Sequence, residues 1–133
     1  MTEWRWLDPK TVQAVHEYQL AEHGGLDGVR DAGLVESALA RPQNLTAYGD
    51  PDAADLAAAY AYGLAKNHGY SDGNKRTAWV AARLFLADSG YALQINAMDA
   101  VRMVEVLAAG TLDEPAVADW FRARMRLVLP NAS

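Results

Sequence analysis

Apolar residues recur at helical spacing through almost every segment of this chain. Asp8-Pro9 reads as an N-cap followed by proline at the first helical position. Val12, Val15, Tyr18 and Leu20 then predict one apolar stripe, stopped by Gly24-Gly25. "LDGVRD" predicts a turn, with Asp31 capping a second helix whose buried face is Leu34, Val35, Ala38 and Leu39. Arg41-Pro42 predicts the end of that helix, because a residue before proline avoids helical angles. "RPQNLTAYGD" shows no period and reads as a polar loop.

Asp50-Pro51 repeats the cap-and-proline signal and opens a helix in which Leu56, Tyr60 and Leu64 recur every four residues. Alanines fill its other faces, and "TAWVAARLFLAD" has the same character up to Ser89-Gly90. A helix that is small and apolar all round packs centrally, so these two predict the heart of the fold. Tyr91, Leu93 and Ile95 alternate with smaller or polar residues, predicting a short strand that belongs at most to a hairpin. A helix over 97–108 turns Val101, Val104 and Leu107 inward, and a last one over 114–127 uses Val117, Trp120, Phe121 and Met125. The pattern predicts one all-α domain, a compact helical bundle over 1–133, with a frayed tail at 128–133.

Length agrees, since 133 residues suit one domain and bury enough surface for a core without covalent staples. Cysteine is absent, which removes disulfides and thiolate metal sites and fits a reducing cytoplasm. No apolar run approaches the ~20 residues of a membrane span, and the start has no signal-peptide core. A formal charge of -5 argues against a broad nucleic-acid face, because phosphate-backbone affinity comes from clustered cations. Against that acidic background the adjacent pair Lys75-Arg76 stands out.

The pair closes "HGYSDGNKR", residues 68–76, between the two central helices. Lys75 and Arg76 fall in the first turn of a helix, where cations oppose the helix dipole by ~0.3–1 kcal/mol each. Unpaired backbone amides at a helix start attract phosphate, so the pair makes sense if an anion sits there. Gly73 can adopt positive φ and turn the preceding amides toward that anion. His68 is the natural proton acceptor, since an unperturbed imidazole has a pKa of about 6.5. Asp72 suits Mg²⁺, which takes one or two carboxylates plus phosphate oxygens. Asn74 would brace the loop or reach a phosphate oxygen, and Lys75 and Arg76 would neutralise charge on the transferring and leaving groups. Each residue alone has a plain structural reading: a capping histidine, an Asp-Gly turn, a capping asparagine, a solvated cation pair. Ser71 shows only loop chemistry. The ordered set is what points to phosphate.

That set, "HGYSDGNKRTA", resembles the Fic/Doc superfamily motif histidine-x-phenylalanine-x-aspartate-glycine-asparagine-lysine-arginine, in its Doc form. "HEYQLAEHGGLDGVRDAGLVESALARPQ" upstream and "FLADSGYAL" and "AAGTLDEPAVADWFR" downstream extend the likeness to nearly the whole chain. The resemblance implies a Fic/Doc helical fold with His68 as catalytic base, an anion-binding loop over 71–76, and Asp72 as the metal-site acid. Ser71, Gly73, Asn74, Lys75 and Arg76 would then contact phosphate or nucleotide, with Lys66 a candidate third cation or a surface lysine. AMP-transferring relatives carry glycine where this chain has Lys75; Doc-type proteins carry lysine and transfer the γ-phosphate of ATP. Their role is that of a toxin in a bacterial toxin–antitoxin pair, a protein Ser/Thr kinase acting on elongation factor Tu and neutralised by a small Phd-like antitoxin. Nucleotidyl transfer and a non-catalytic partner-binding role are the alternatives.

Two positions depart from the motif. Tyr70 replaces phenylalanine, adding a hydroxyl that needs a partner if buried. Gly69 stands where proline is common, predicting a less rigid start to the loop. Elsewhere, His16 reads as structural and His23 suits a helix C-terminus. Trp4, Trp6, Trp79 and Trp120 read as packing residues, Trp6 equally as a partner contact. The polar segment 42–50 is a candidate flap for a protein substrate or an ordinary connection.

Overall fold

Asp8 accepts a 2.8 Å hydrogen bond from the Lys10 amide, and Pro9 begins helix α1 (Pro9–His23), as the cap-and-proline signal requires. In this computed structural model, residues 4–25, 28, 31–67, 69 and 73–128 are described. The further elements among them are α2 (Ala32–Tyr48), α3 (Ala53–Asn67), α4 (Asn74–Asp88), β1 (Tyr91–Leu93), α5 (Ala97–Ala109), α6 (Glu114–Arg124) and β2 (Met125–Leu127). The fold is all-α apart from one two-stranded antiparallel sheet.

Helix α3 is the axle. Its positions from Ala53 to Ala65 are buried except Asp55 and Tyr62, and it packs against α2, α4, α5 and α6. Alanine makes that possible, since short side chains let neighbouring backbones approach on all sides. Helices α2 and α3 approach closely at Gly63, where an added Cβ would meet Ala38 Cβ at 3.4 Å. Helix α4 lies alongside, burying Ala78, Trp79, Ala81, Ala82, Phe85 and Leu86, with α1 across its outer face. Trp4, Trp6 and Tyr60 surround Phe85 at ring separations of 5.2–6.2 Å, and Trp79 stacks on Phe121 at 6.1 Å. The tryptophans are packing residues.

Several local expectations are corrected. Helix α2 does not end at Arg41-Pro42; Pro42 lies inside it, buried, and the helix runs on to Tyr48. Proline forfeits one backbone hydrogen bond there. The apolar face that continues through Ala38, Leu39, Pro42 and Leu45 into the core offsets that loss. The expected 42–50 loop is therefore mostly helix. Helix α3 is capped from Asp52 rather than Asp50: Asp52 N donates to Asp55 Oδ2 at 3.0 Å, and Asp55 N to Asp52 Oδ1 at 2.9 Å.

On α1 the buried positions are Val12 and His16, with Tyr18 62% exposed, and on α5 the buried one is Met103, with Val101 exposed. The last helix stops at Arg124, because Met125–Leu127 pair with Tyr91–Leu93 in the register Tyr91↔Leu127 and Leu93↔Met125. The short strand thus has a remote partner, not a hairpin. Gln94 N donates to Arg124 O and Val128 N to Gly90 O, both at 2.8 Å, closing the ends of the pair.

Candidate phosphate-binding loop

The connection between α3 and α4 joins the two most buried helices, so its ends are fixed by the core. His68, Tyr70, Ser71 and Asp72 lie outside the described residues, while Asn67, Gly69 and Gly73–Arg76 frame them. Asn67 ends α3, and its Nδ2 donates to Leu34 O of α2 at 3.0 Å. Gly69 is buried, and its carbonyl accepts a 2.9 Å hydrogen bond from Asp31 N, at the N-cap of the same helix. A Cβ on Gly69 would stand 2.5 Å from Val35 Cγ2 and 2.9 Å from Val35 N. Glycine here is a close-approach residue. The expectation that Gly69 loosens the start of the loop is corrected: the chain at 69 is pressed onto α2, and proline would collide as any Cβ-bearing residue does.

At the far end Gly73 has φ 76° and ψ 12°, a left-handed conformation that glycine adopts without penalty. It is the N-cap of α4, and Thr77 N donates to its carbonyl at 3.0 Å. Glycine has no side chain with which to cap, so its own residue leaves the Asn74, Lys75 and Arg76 amides to other acceptors. Asn74 is buried, Lys75 half-buried and Arg76 exposed. Both predicted cations thus stand in the first turn of α4, at the positive end of the helix dipole. A helix start of this kind attracts anions through its backbone amides and its positive dipole end.

Beneath Gly73 lies α1. An added Cβ on Gly73 would meet Leu20 Cδ2 at 3.5 Å, His16 Cδ2 at 3.6 Å and His16 Nε2 at 3.7 Å. His16 is fully buried, consistent with a structural histidine, but its ring edge forms the floor of the turn that opens α4. Sequence reasoning missed this placement. The i, i+4, i+8 row of Val12, His16 and Leu20 marks the inward face of α1, but it does not say what that face packs against.

Lys66 sits in the last turn of α3. Its Nζ donates to Tyr62 Oη at 2.9 Å and stands 5.0 Å from the Tyr62 ring centroid. Lys66 and Asn67 line a cleft of about 600 Å³ between α2 and α3, together with Ser37, Arg41, Asn44 and Tyr48. Arg41 is tied to Glu114 of α6 at 2.6 Å, which raises the pKa of its guanidinium. Tyr48, at the end of α2, is 93% exposed and also borders a groove of about 410 Å³ with Asp50, Asp55 and Glu114. The segment considered as a flap therefore presents a helix end with one bare aromatic ring. Arg76 borders a separate groove of about 410 Å³, walled by Trp79, Val80, Val101 and Val104.

Among the described residues there is no group of three or more His, Cys, Asp or Glu side chains that would hold a metal ion. No helix among them is long and apolar enough to cross a membrane.

An alanine-rich helical core, presenting a glycine-opened, cation-bearing helix start above a buried histidine, defines an α-helical protein with a candidate site at the start of α4. The chain belongs to the Fic/DOC family, whose family model matches residues 6–86. It is 31% identical over 122 residues to Protein kinase doc of Escherichia phage P1, a match spanning 89% of this chain and 94% of that protein. It is 52% identical over 73 residues to Toxin Doc of Mycolicibacterium smegmatis, covering 53% of this chain and 55% of that protein.

Proposed function

We propose that this chain is a Doc-type toxin acting as a protein kinase, which moves the γ-phosphate of ATP to a serine or threonine hydroxyl of a translation factor. The observation that carries the reading is the start of α4: a left-handed Gly73 followed by Asn74, Lys75 and Arg76 on the first helical turn. The relatives named as a protein kinase and a toxin support it. Lys75 supports the phosphate-transferring branch, since AMP-transferring members carry glycine at that position.

The residues divide the work by chemistry. The acceptor hydroxyl gives its proton to His68 as its oxygen bonds to the γ-phosphorus, an effect typically worth ~10²–10⁴-fold. The bond from that phosphorus to the β–γ bridging oxygen breaks, and ADP leaves. Amides of the 71–76 loop and the first turn of α4 take the phosphate oxygens, with Lys75 and Arg76 offsetting charge on the transferring and leaving groups. Ser71, Asn74 and Lys66 supply further polar contacts to the nucleotide. Gly73 and its two following cations fit a polyphosphate; Asp72 is the residue that would hold Mg²⁺, with phosphate oxygens completing its shell. Bound there, the ion would offset charge on the phosphates.

The partners follow from the same reading: elongation factor Tu as substrate and a small Phd-like antitoxin that neutralises the toxin in the cytoplasm, with no nucleic acid or membrane contacted directly. The test uses the purified chain with elongation factor Tu and ATP labelled at either the α or the γ position. Label from the γ position on the acceptor is expected, and His68→Ala abolishes both transfer and growth arrest. Label from the α position would overturn the kinase assignment in favour of nucleotidyl transfer. Growth arrest by wild type that persists in His68→Ala would overturn base catalysis in favour of a partner-binding role.

A further inference from the structure

Helix α2 takes hold of the chain on both sides of position 68. On one side, Asn67 Nδ2 donates to Leu34 O at 3.0 Å, across 33 residues of sequence. On the other, Gly69 O accepts from Asp31 N at 2.9 Å. The turn receiving these bonds is itself braced: Asp31 Oδ1 accepts from Gly33 N at 2.9 Å and Leu34 N at 3.3 Å, while Asp31 O accepts from Leu34 N and Val35 N. Gly69 lies close against that turn, an approach that its missing Cβ permits, since a Cβ there would stand 2.5 Å from Val35 Cγ2.

We infer that Asn67 is a positioning residue: by tying the end of α3 to the first turn of α2, its side chain fixes the approach of the backbone to position 68. The inference rests on the reading of His68 as the base.

The chemistry of the clamp is specific to asparagine. The carbonyl of Leu34 is inside the helix, where one lone pair serves the helical hydrogen bond and the other remains for an outside donor. The carboxamide supplies that donor at the last residue of α3, a helix end whose own carbonyls need outside partners. Consecutive Cα atoms are ~3.8 Å apart across a trans peptide, so the anchors at 67 and 69 set both ends of a span of two such steps. A base must meet its proton at hydrogen-bonding distance, and a displacement of 1 Å can cost ~10²-fold in rate. Alanine at 67 deletes the donor while favouring helix, so the variant is expected to fold. Glutamine keeps the donor on a stem longer by one methylene.

The test compares wild type, Asn67→Ala and Asn67→Gln in γ-phosphate transfer from ATP to elongation factor Tu. A second, activity-independent readout follows the imidazole resonances of the chain's three histidines, His16, His23 and His68, after ¹³C labelling. For Asn67→Ala the expected result is a loss of ~10-fold or more in kcat, with the KM for ATP moving less than ~2-fold. The His68 signals shift or broaden, while those of His16 and His23 stay in place. Asn67→Gln keeps kcat within a few-fold of wild type, and Asn67→Asp, which keeps the shape but has no amide donor for the Leu34 carbonyl, serves as the test variant should the alanine form not fold. Unchanged His68 resonances together with kcat within ~2-fold of wild type would overturn the inference. Should the wild type transfer no γ-phosphate, the reaction assignment fails and the resonances alone decide: displaced His68 signals support the clamp, unmoved ones overturn it.

Discussion

His16 lies under Gly73: a Cβ built on the glycine would come within 3.6 Å of His16 Cδ2 and 3.7 Å of His16 Nε2. Helix α1 is thereby part of the candidate site although it supplies none of the motif. The floor it makes, His16 and Leu20, is one helical turn apart on the α1 face that packs against α4. The separation is ordinary van der Waals contact, so a methyl group at 73 would fit. Its backbone angle is what resists substitution.

Gly73→Ala should therefore act through φ 76° rather than through a clash. Holding an L-residue in that region costs ~1–2 kcal/mol, a fall of about 3–8 °C in Tm for a domain of this size. Phosphate or nucleotide affinity should drop as well, if the turn relaxes and rotates the α4 amides. Gly73→Asn should recover part of both, because asparagine tolerates the left-handed region. Calorimetry with and without ATP separates the two effects. Equal losses for alanine and asparagine would show that side-chain bulk, not backbone angle, is decisive.

Gly69→Ala should behave in the opposite way. Its φ is not the difficulty; the Cβ at 2.5 Å from Val35 Cγ2 and 2.9 Å from Val35 N is. One contact is with backbone and cannot yield by a rotamer change. Overpacking of this kind costs ~1–3 kcal/mol and should push residue 69 off α2, weakening the Asp31 N to Gly69 O bond. Val35→Ala, which removes the Cγ2 contact, should rescue only part of the loss. Urea unfolding of the three variants measures it, and full rescue would contradict the backbone contact.

The exposed charges bordering α3 make a pH-dependent contribution with a definite sign. Arg122 holds Asp52 at 2.8 Å, Asp55 at 2.9 Å and Asp119 at 2.6 Å. Its hydrogen bond to Asp52, helped by the Asp55 amide and side chain against modest desolvation, lowers the Asp52 pKa to about 2. A carboxylate depressed in the fold stabilises it above its unfolded pKa near 4 and loses that contribution as pH falls through 2. Asp52 is about half exposed, so solvent screening limits the effect to ~1 kcal/mol. Arg122→Ala should lose roughly that amount at pH 7 and converge on wild type below pH 2. A constant difference across that window would place the loss in packing instead.

What was legible in the sequence follows the range of the interactions. Helices α3 and α4 announced themselves, because a run of alanines with Leu56, Tyr60, Leu64 and Phe85 suits burial on all sides. The loop between them stands out in the sequence as a candidate site, because its histidine, acid, glycine and cations lie within a few residues. The path of α2 through Pro42 was not, since its burial against the core depends on residues elsewhere in the chain. Nor was the β1–β2 pairing, which joins Leu93 to Met125 across two helices. His16 beneath Gly73 and Asn67 against Leu34 share that reason. Each contact is set by helix packing, and the local pattern carries no trace of the partner.

Tyr60 offers the cleanest separation of a polar contribution from packing. Its ring is fully buried, 5.2 Å from the centroid of Phe85, and its hydroxyl accepts a 3.0 Å hydrogen bond from Leu7 N. Burial pushes the phenol pKa up from its usual value, and the bond from Leu7 partly opposes that. A pKa raised in the fold means that the unfolded chain ionises first, so stability declines as pH rises past about 10. Tyr60→Phe keeps the ring and removes the acceptor, leaving the Leu7 amide without its partner at a cost of about 1–3 kcal/mol. It should also remove Tyr60's share of the alkaline decline. Urea unfolding at pH 7 and pH 10.5, with the phenolate absorbance followed in parallel, checks both. Wild-type stability at pH 7 in Tyr60→Phe would mean that water replaces the hydroxyl and that the Leu7 anchor contributes little.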